Sequence, residues 1–199
     1  SSTDCTVAPS TYVTTSAGGS LTVAVSSSTA RENISVAGSA DVEIASFEFT
    51  STLEAFTVTN LALNNRQTGV AYSATYATGP GSYDNNISGL TLSYENVDGT
   101  TIEKDSTLVD GTASFSGLTF YVPADSSSTI TVYATLNSVS SSGTSATAGE
   151  FVDLSLAYNN FEALASGSGE TYKADKIDAT VAAASDLDFG TISYTNGSE

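Results

Sequence analysis

An all-β sandwich is the fold this sequence predicts, and three observations predict it. Apolar and polar residues alternate in run after run, as in LTVAVS at 21–26 and TITVYATL at 129–136. Turn residues punctuate those runs, among them Asp98-Gly99, Asp110-Gly111 and Pro123. Two runs, DVEIASFEFT at 41–50 and EAFTVTNLALNN at 54–65, change face midway. Strands that bend through a bulge and serve a curved sandwich need such a slip.

The elements follow in chain order. TYVTT at 11–15 reads as a short strand, Ala17-Gly18-Gly19-Ser20 as a turn, and Leu21, Val23 and Val25 as one face of a clear strand. SSSTARE at 26–32 is a polar connector. Val42 and Ile44 then share a face that Phe47 and Phe49 do not, so a bulge is expected at Ala45. Phe56 and Val58 are likewise out of phase with Leu61 and Leu63, which places a second slip near Asn60. Leu90, Leu92 and Tyr94 make the next strand, and LTFYV at 118–122 stops at Pro123, which cannot donate to a central ladder. Ile130, Val132, Ala134 and Leu136 alternate cleanly, as do Val152, Leu154 and Leu156. ADKIDATVAAASDL at 174–187 reads as a connector or short helix, since its Ala content is permissive but Thr180-Val181 and Ser185 are not. GTISYT at 190–195 is a terminal extended segment.

Composition narrows function mainly by exclusion. The 199 residues suffice for a core without staples. A formal charge of -17, from 22 acidic and 5 basic side chains, makes nucleic acid and anionic membrane surfaces poor partners. There is no histidine, hence no Ser-His-Asp triad, histidine-ligated metal or histidine base. The single Cys5 cannot close an internal disulfide; it is either an unremarkable residue of a terminal segment or a link to another chain. No run of about 20 apolar residues is present to cross a bilayer as a helix. The chain begins at Ser1 without Met and shows no signal peptide, a pattern that fits a processed, exported protein and equally a trimmed sequence.

Paired carboxylates are the remaining catalytic chemistry. Asp41 with Glu43, and Asp186 with Asp188, lie two apart and share a face when extended, which describes a solvated acidic face rather than a cleft. The expectation is therefore a protein that is not an enzyme. Oxygen-rich loops offer candidate calcium ligands at Asp84, Asn85 and Asn86 and at Glu95, Asn96 and Asp98, although neither set matches the twelve-residue calcium loop. Asn33-Ile-Ser35, Asn86-Ile-Ser88 and Asn196-Gly-Ser198 fit the glycosylation triplet, so Asn33, Asn86 and Asn196 are candidate acceptors. Tyr72, Tyr76 and Tyr83 sit in one long loop and supply rigid contact area suited to a sugar or protein surface.

The ordered phrases DVEIASFEFT, EAFTVTNLAL, DNNISGLTLSYEN, DGTASFSGLTFYVPADSSSTITVYATL and FVDLSLAY resemble the immunoglobulin-like β-sandwich repeats of bacterial secreted and surface-layer-like proteins. The resemblance covers roughly 36–165. It implies an immunoglobulin-like sandwich used as a spacer or building block at the cell surface. Family members occur in tandem, whereas this chain carries one copy with flanks on both sides. The division it implies is an N-terminal arm at 1–35, the sandwich at 36–165 and a C-terminal extension at 166–199.

Such flanks suit a strand that completes a neighbour's sandwich, since sheet edges leave backbone groups unpaired. LTVAVS followed by SSSTARE supplies an alternating segment and a polar hinge. The expected donor anchors are Leu21, Val23 and Val25, and the expected acceptor core is Phe47, Phe49, Phe56 and Val58. TISYT is a second donor candidate, and both segments can equally pair within their own chain. Head-to-tail exchange gives an open homopolymer because the contact does not close. The expectation is thus a structural subunit of a pilus-like extracellular filament. The alternative is a surface-layer or adhesin-type binding module that engages another cell surface.

Overall fold

The alternating runs are strands in the computed structural model of the chain, which describes residues 19–27, 32–65, 86–109, 111–139, 151–156, 161–169, 171–173 and 187–195. TYVTT lies outside those residues, as does most of 174–187. Among the described residues the order is β1 (Ser20–Val25), β2 (Glu32–Val36), β3 (Val42–Thr52), β4 (Phe56–Asn65), β5 (Ile87–Glu95), β6 (Thr101–Ser106), β7 (Thr112–Val122), β8 (Ser127–Leu136), β9 (Phe151–Leu156), β10 (Glu162–Ala165), β11 (Thr171–Lys173) and β12 (Leu187–Thr195). A five-stranded sheet runs β1-β3-β8-β5-β6, and a seven-stranded sheet runs β11-β10-β4-β9-β12-β2 with β7 also paired to β4. Every ladder is antiparallel except that of β12 with β2. The chain is an all-β sandwich.

Both expected slips are bulges. The register of β3 against β8 shifts between Glu43 and Ala45, so Ile44 is the extra residue. Ile44, Ala45, Ser46 and Phe47 are consequently buried in succession, which a regular two-residue alternation forbids. In β4 the register against β7 shifts between Val58 and Asn60. A third break escapes the sequence reading, which takes only LTFYV at 118–122 as the strand here. TASFS and LTFYV form one strand, β7, that passes through Gly117 at φ 63, and the buried set changes parity there from Ala113 and Phe115 to Leu118, Phe120 and Val122. Left-handed backbone is what glycine tolerates at such a bulge.

The flanks join the sheets. β1, most of β2, β11 and β12 fall outside 36–165; β1, β11 and β12 each have a ladder partner within that range, and β2 pairs with β12. β2 arises from residues that read as a connector and a glycosylation triplet, and it lies at the rim of the seven-stranded sheet.

Between the sheets the inward faces interdigitate. Phe49 is the hub: its ring meets Phe120 edge-on at 5.2 Å and stacks on Phe161 at 5.9 Å, with Phe47 5.6 Å away. Tyr94 packs on Phe120 at 5.8 Å, and its buried hydroxyl accepts a hydrogen bond from the Thr119 amide at 3.3 Å. Edge-on and offset geometries of this kind add to what area burial alone supplies.

Candidate functional site

A groove beside β3 holds β1, and its chemistry is apolar. β1 pairs with β3 so that Leu21 faces Ser51, Val23 faces Phe49 and Val25 faces Phe47. Leu21 and Val23 are buried in the core, and Val25 is half-buried against it. Phe47, Phe49, Phe56 and Val58 all have 0% exposure and line the same core. The expected donor anchors and acceptor residues are therefore in one place, within a single chain. Phe47 and Phe49 reach it from the strand beside β1, and Phe56 and Val58 from the opposite sheet.

The backbone of β1 has an inner and an outer side. The Ser26 amide donates to the Ser46 carbonyl at 2.9 Å, which marks Ser26 and Ser46 as a hydrogen-bonded pair. Antiparallel ladders alternate such pairs with non-bonded ones, so Ala24 with Glu48 and Thr22 with Thr50 continue the series. Leu21, Val23 and Val25 then aim their N–H and C=O groups away from β3, toward the rim of the sheet.

At the start of β1 the outward groups of Gly19 are gripped. The Gly19 amide donates to Glu54 Oε1 at 2.7 Å, and the Tyr172 hydroxyl donates to the Gly19 carbonyl. Glu54 also accepts from the Gly167 amide at 2.9 Å, the Ser168 amide at 2.7 Å and the Ser168 hydroxyl at 3.1 Å. The Ser168 amide above all, aided by the Gly19 and Gly167 amides and the Ser168 hydroxyl, stabilises the charged form and holds the Glu54 carboxyl below its ordinary value, against a smaller upward push from burial.

A strained turn aims Glu54 at its donors. Leu53, between β3 and β4, has φ 72, a conformation rare for a bulky residue, and its amide donates to Asp125 Oδ1 at 2.8 Å. Tyr172 is in turn fixed by its ring, which meets Phe56 edge-on at 4.9 Å. Three separate segments, 53–54, 167–168 and 172, thus converge on one glycine. None of this is visible locally, since Glu54 lies 113 positions from Gly167 in sequence. Only Gly19 had a sequence signal, and it read as a turn.

The other candidate residues are scattered. Asn86 is buried at one end of β5, where its carboxamide oxygen accepts from Asn65 Nδ2 at 3.5 Å and its backbone carbonyl accepts from the Asn137 amide at 2.9 Å. Glu95 and Asp98 are exposed at the other end of β5, where the Asn96 side-chain oxygen accepts from the amides of Asp98 and Thr100, both at 3.0 Å. Among the described residues no group of three or more acidic, histidine or cysteine side chains is placed to hold a metal ion. Asn33 belongs to β2. Asp84, Asn85, Asn196, Cys5 and the loop tyrosines Tyr72, Tyr76 and Tyr83 lie outside the described residues.

No model of a known protein family matches the chain, and no curated protein matches it in sequence. Among solved structures, a family 123 glycoside hydrolase from Clostridium perfringens is similar at a TM-score of 0.39 and 8% identity, over 90% of this chain and 28% of that one. The CupB6 tip adhesin from Pseudomonas aeruginosa is similar at a TM-score of 0.25 and 13% identity, over 88% of this chain and 50% of that one. The chain thus spans half or less of each of these two proteins. Likenesses of this strength carry no argument about activity.

Proposed function

We propose that the chain is a structural, non-enzymatic subunit of an extracellular cell-surface filament, joined head-to-tail to further copies of itself by exchange of β1. One observation carries this reading: β1 pairs with a single strand among the described residues while inserting Leu21 and Val23 into the core. A strand held in that way can be supplied by a neighbouring copy with every contact preserved, because β-strand addition uses the same ladder and the same pockets. SSSTARE is the polar tether that would have to open. Exchange of a terminal strand is heterologous and propagates instead of closing. The -17 charge keeps such a fibre solvated and disfavours nucleic acid as a partner.

Ala24 and Glu48 are exposed and lie directly opposite one another across the ladder. Cysteines at a facing pair are within disulfide reach. Two full-length variants, Ala24→Cys and Glu48→Cys, each also carrying Cys5→Ser, would be mixed, denatured, refolded together and oxidised. Exchange predicts disulfide-linked heterodimers joining the two variants, with filaments of the parent protein in negative-stain micrographs. Monomers throughout, in both assays, would overturn the filament and leave a surface binding module as the better account.

A further inference from the structure

We propose that Glu54, Tyr172 and the Gly167–Ser168 turn form a socket that reads the backbone of Gly19 and fixes the register in which β1 enters its groove. The occupant is the segment from Gly19 through Val25, whether of the same chain or of a second copy.

The socket accepts glycine at this position. A Cβ built on Gly19 would stand 2.4 Å from the Thr52 carbonyl oxygen, 2.6 Å from Glu54 Cγ and 3.0 Å from the Glu54 amide nitrogen. Two of those three atoms are backbone, so no side-chain rotation relieves the clash. The two polar groups that Gly19 turns outward are both taken, the amide by Glu54 and the carbonyl by Tyr172. Glu54 is in turn held by Gly167 and Ser168, so the socket is braced from the opposite sheet.

The sequence around Gly19 makes the reading selective. A slip of one residue reverses every side chain: with Gly18 in the socket Ser20 and Thr22 take the core places of Leu21 and Val23, and in the other direction Ser20 enters the socket with a Cβ of its own. A slip of two restores the apolar face but brings Ala17 or Leu21 to the socket, and each carries a Cβ. Among these registers, the observed one alone has glycine in the socket and both anchors inward. The buried apolar face excludes odd slips but is kept in a slip of two, and the socket supplies the discrimination against that even slip.

Register is readable by disulfide trapping in the full chain. In a Cys5→Ser background, Ala24→Cys with Glu48→Cys reports the observed register. Ala24→Cys with Thr50→Cys is a diagonal pair, about 7–8 Å apart in a regular ladder, that closes only after a slip. Adding Gly19→Ala is expected to slow 24–48 trapping about tenfold, the scale of an overpacking clash. Amide exchange at Leu92 and Val132, remote from the socket, is expected to stay protected. An unchanged 24–48 rate with Gly19→Ala would overturn the proposal. Should Gly19→Ala unfold the chain, Tyr172→Phe decides: slower 24–48 trapping with protected remote amides supports the socket, and an unchanged rate overturns it. Trapping counts disulfides within and between chains alike, so this result is independent of whether copies exchange strands.

Discussion

β1 and β12 stand at opposite ends of the described strand order, and the sandwich holds them in opposite ways. Among the described residues β1 lies at the rim of the five-stranded sheet and has one ladder partner, β3. β12 lies inside the seven-stranded sheet, antiparallel to β9 on one side and parallel to β2 on the other. Freeing β1 breaks one ladder. Freeing β12 breaks two and leaves β2 with no sheet neighbour among the described residues. LTVAV and TISYT look alike as candidate donors in sequence, so the number of ladders that hold each strand belongs to its position in the sheet and not to its composition.

The largest expected effect tests the interior strand. A chain ending at Asp186 loses both ladders of β12 and is expected to lose its cooperative thermal transition by circular dichroism. A sharp transition near the parent's temperature would show that β12 is expendable and would erase the contrast.

At the rim, Leu21→Ala removes a fully buried anchor and is expected to cost about 2–5 kcal/mol in urea unfolding. Ser20→Ala, on an exposed neighbour, is expected to stay within about 0.5 kcal/mol of the parent. Equal effects would mean that β1 does not occupy the core in solution.

Gly117→Ala in β7 is a control distant from both termini in sequence. Left-handed backbone costs an L-residue about 1–2 kcal/mol, and no atom within 4 Å adds a clash, so stability is expected to fall by about that much. Trapping of β1 between 24 and 48 should not change.

The smallest effect is acid sensitivity. The folded-state value of Glu54 is depressed, so its contribution is complete above the ordinary carboxylate range and is lost as pH falls through the depressed value. Asp125, which accepts from the Leu53 amide, is the neighbouring carboxylate of the same turn region. Hydrogen exchange is expected to show the Gly19 and Ser168 amides losing protection in that acid window while β12 amides do not. Glu54→Gln should abolish the difference between acid and neutral conditions.

The strands were legible where alternation ran for five residues or more. The parity of Val42 and Ile44 against Phe47 and Phe49, and of Phe56 and Val58 against Leu61 and Leu63, located both bulges within a residue or so. The parity change at Gly117 is equally present, between Phe115 and Leu118, but the strand was read only from Leu118 onward, and it is the pairing of β4 on both sides of the glycine that joins the two halves. β10 and β11 are too short to show periodicity, with four and three residues, and exist because β4 and then β10 offer an edge to pair with. Of the site, the apolar anchors were legible and the socket was not. Glu54 looked like one more surface carboxylate in a strongly acidic chain.

What consecutive residues decide is settled locally: which segments extend, which faces are apolar, where a strand must bend, and how negative the surface is. Side-chain alternation follows from backbone geometry, and charge follows from composition, so neither needs a partner to be known. Partnership is different. That β12 lies between β9 and β2, that β1 stops at a rim among the described strands, and that Glu54, Gly167, Ser168 and Tyr172 gather around Gly19 depend on contacts between residues distant in sequence, 35 positions for Gly19 with Glu54 and 153 for Gly19 with Tyr172. Such contacts form only when the sheets close over a shared core, and no local pattern encodes them.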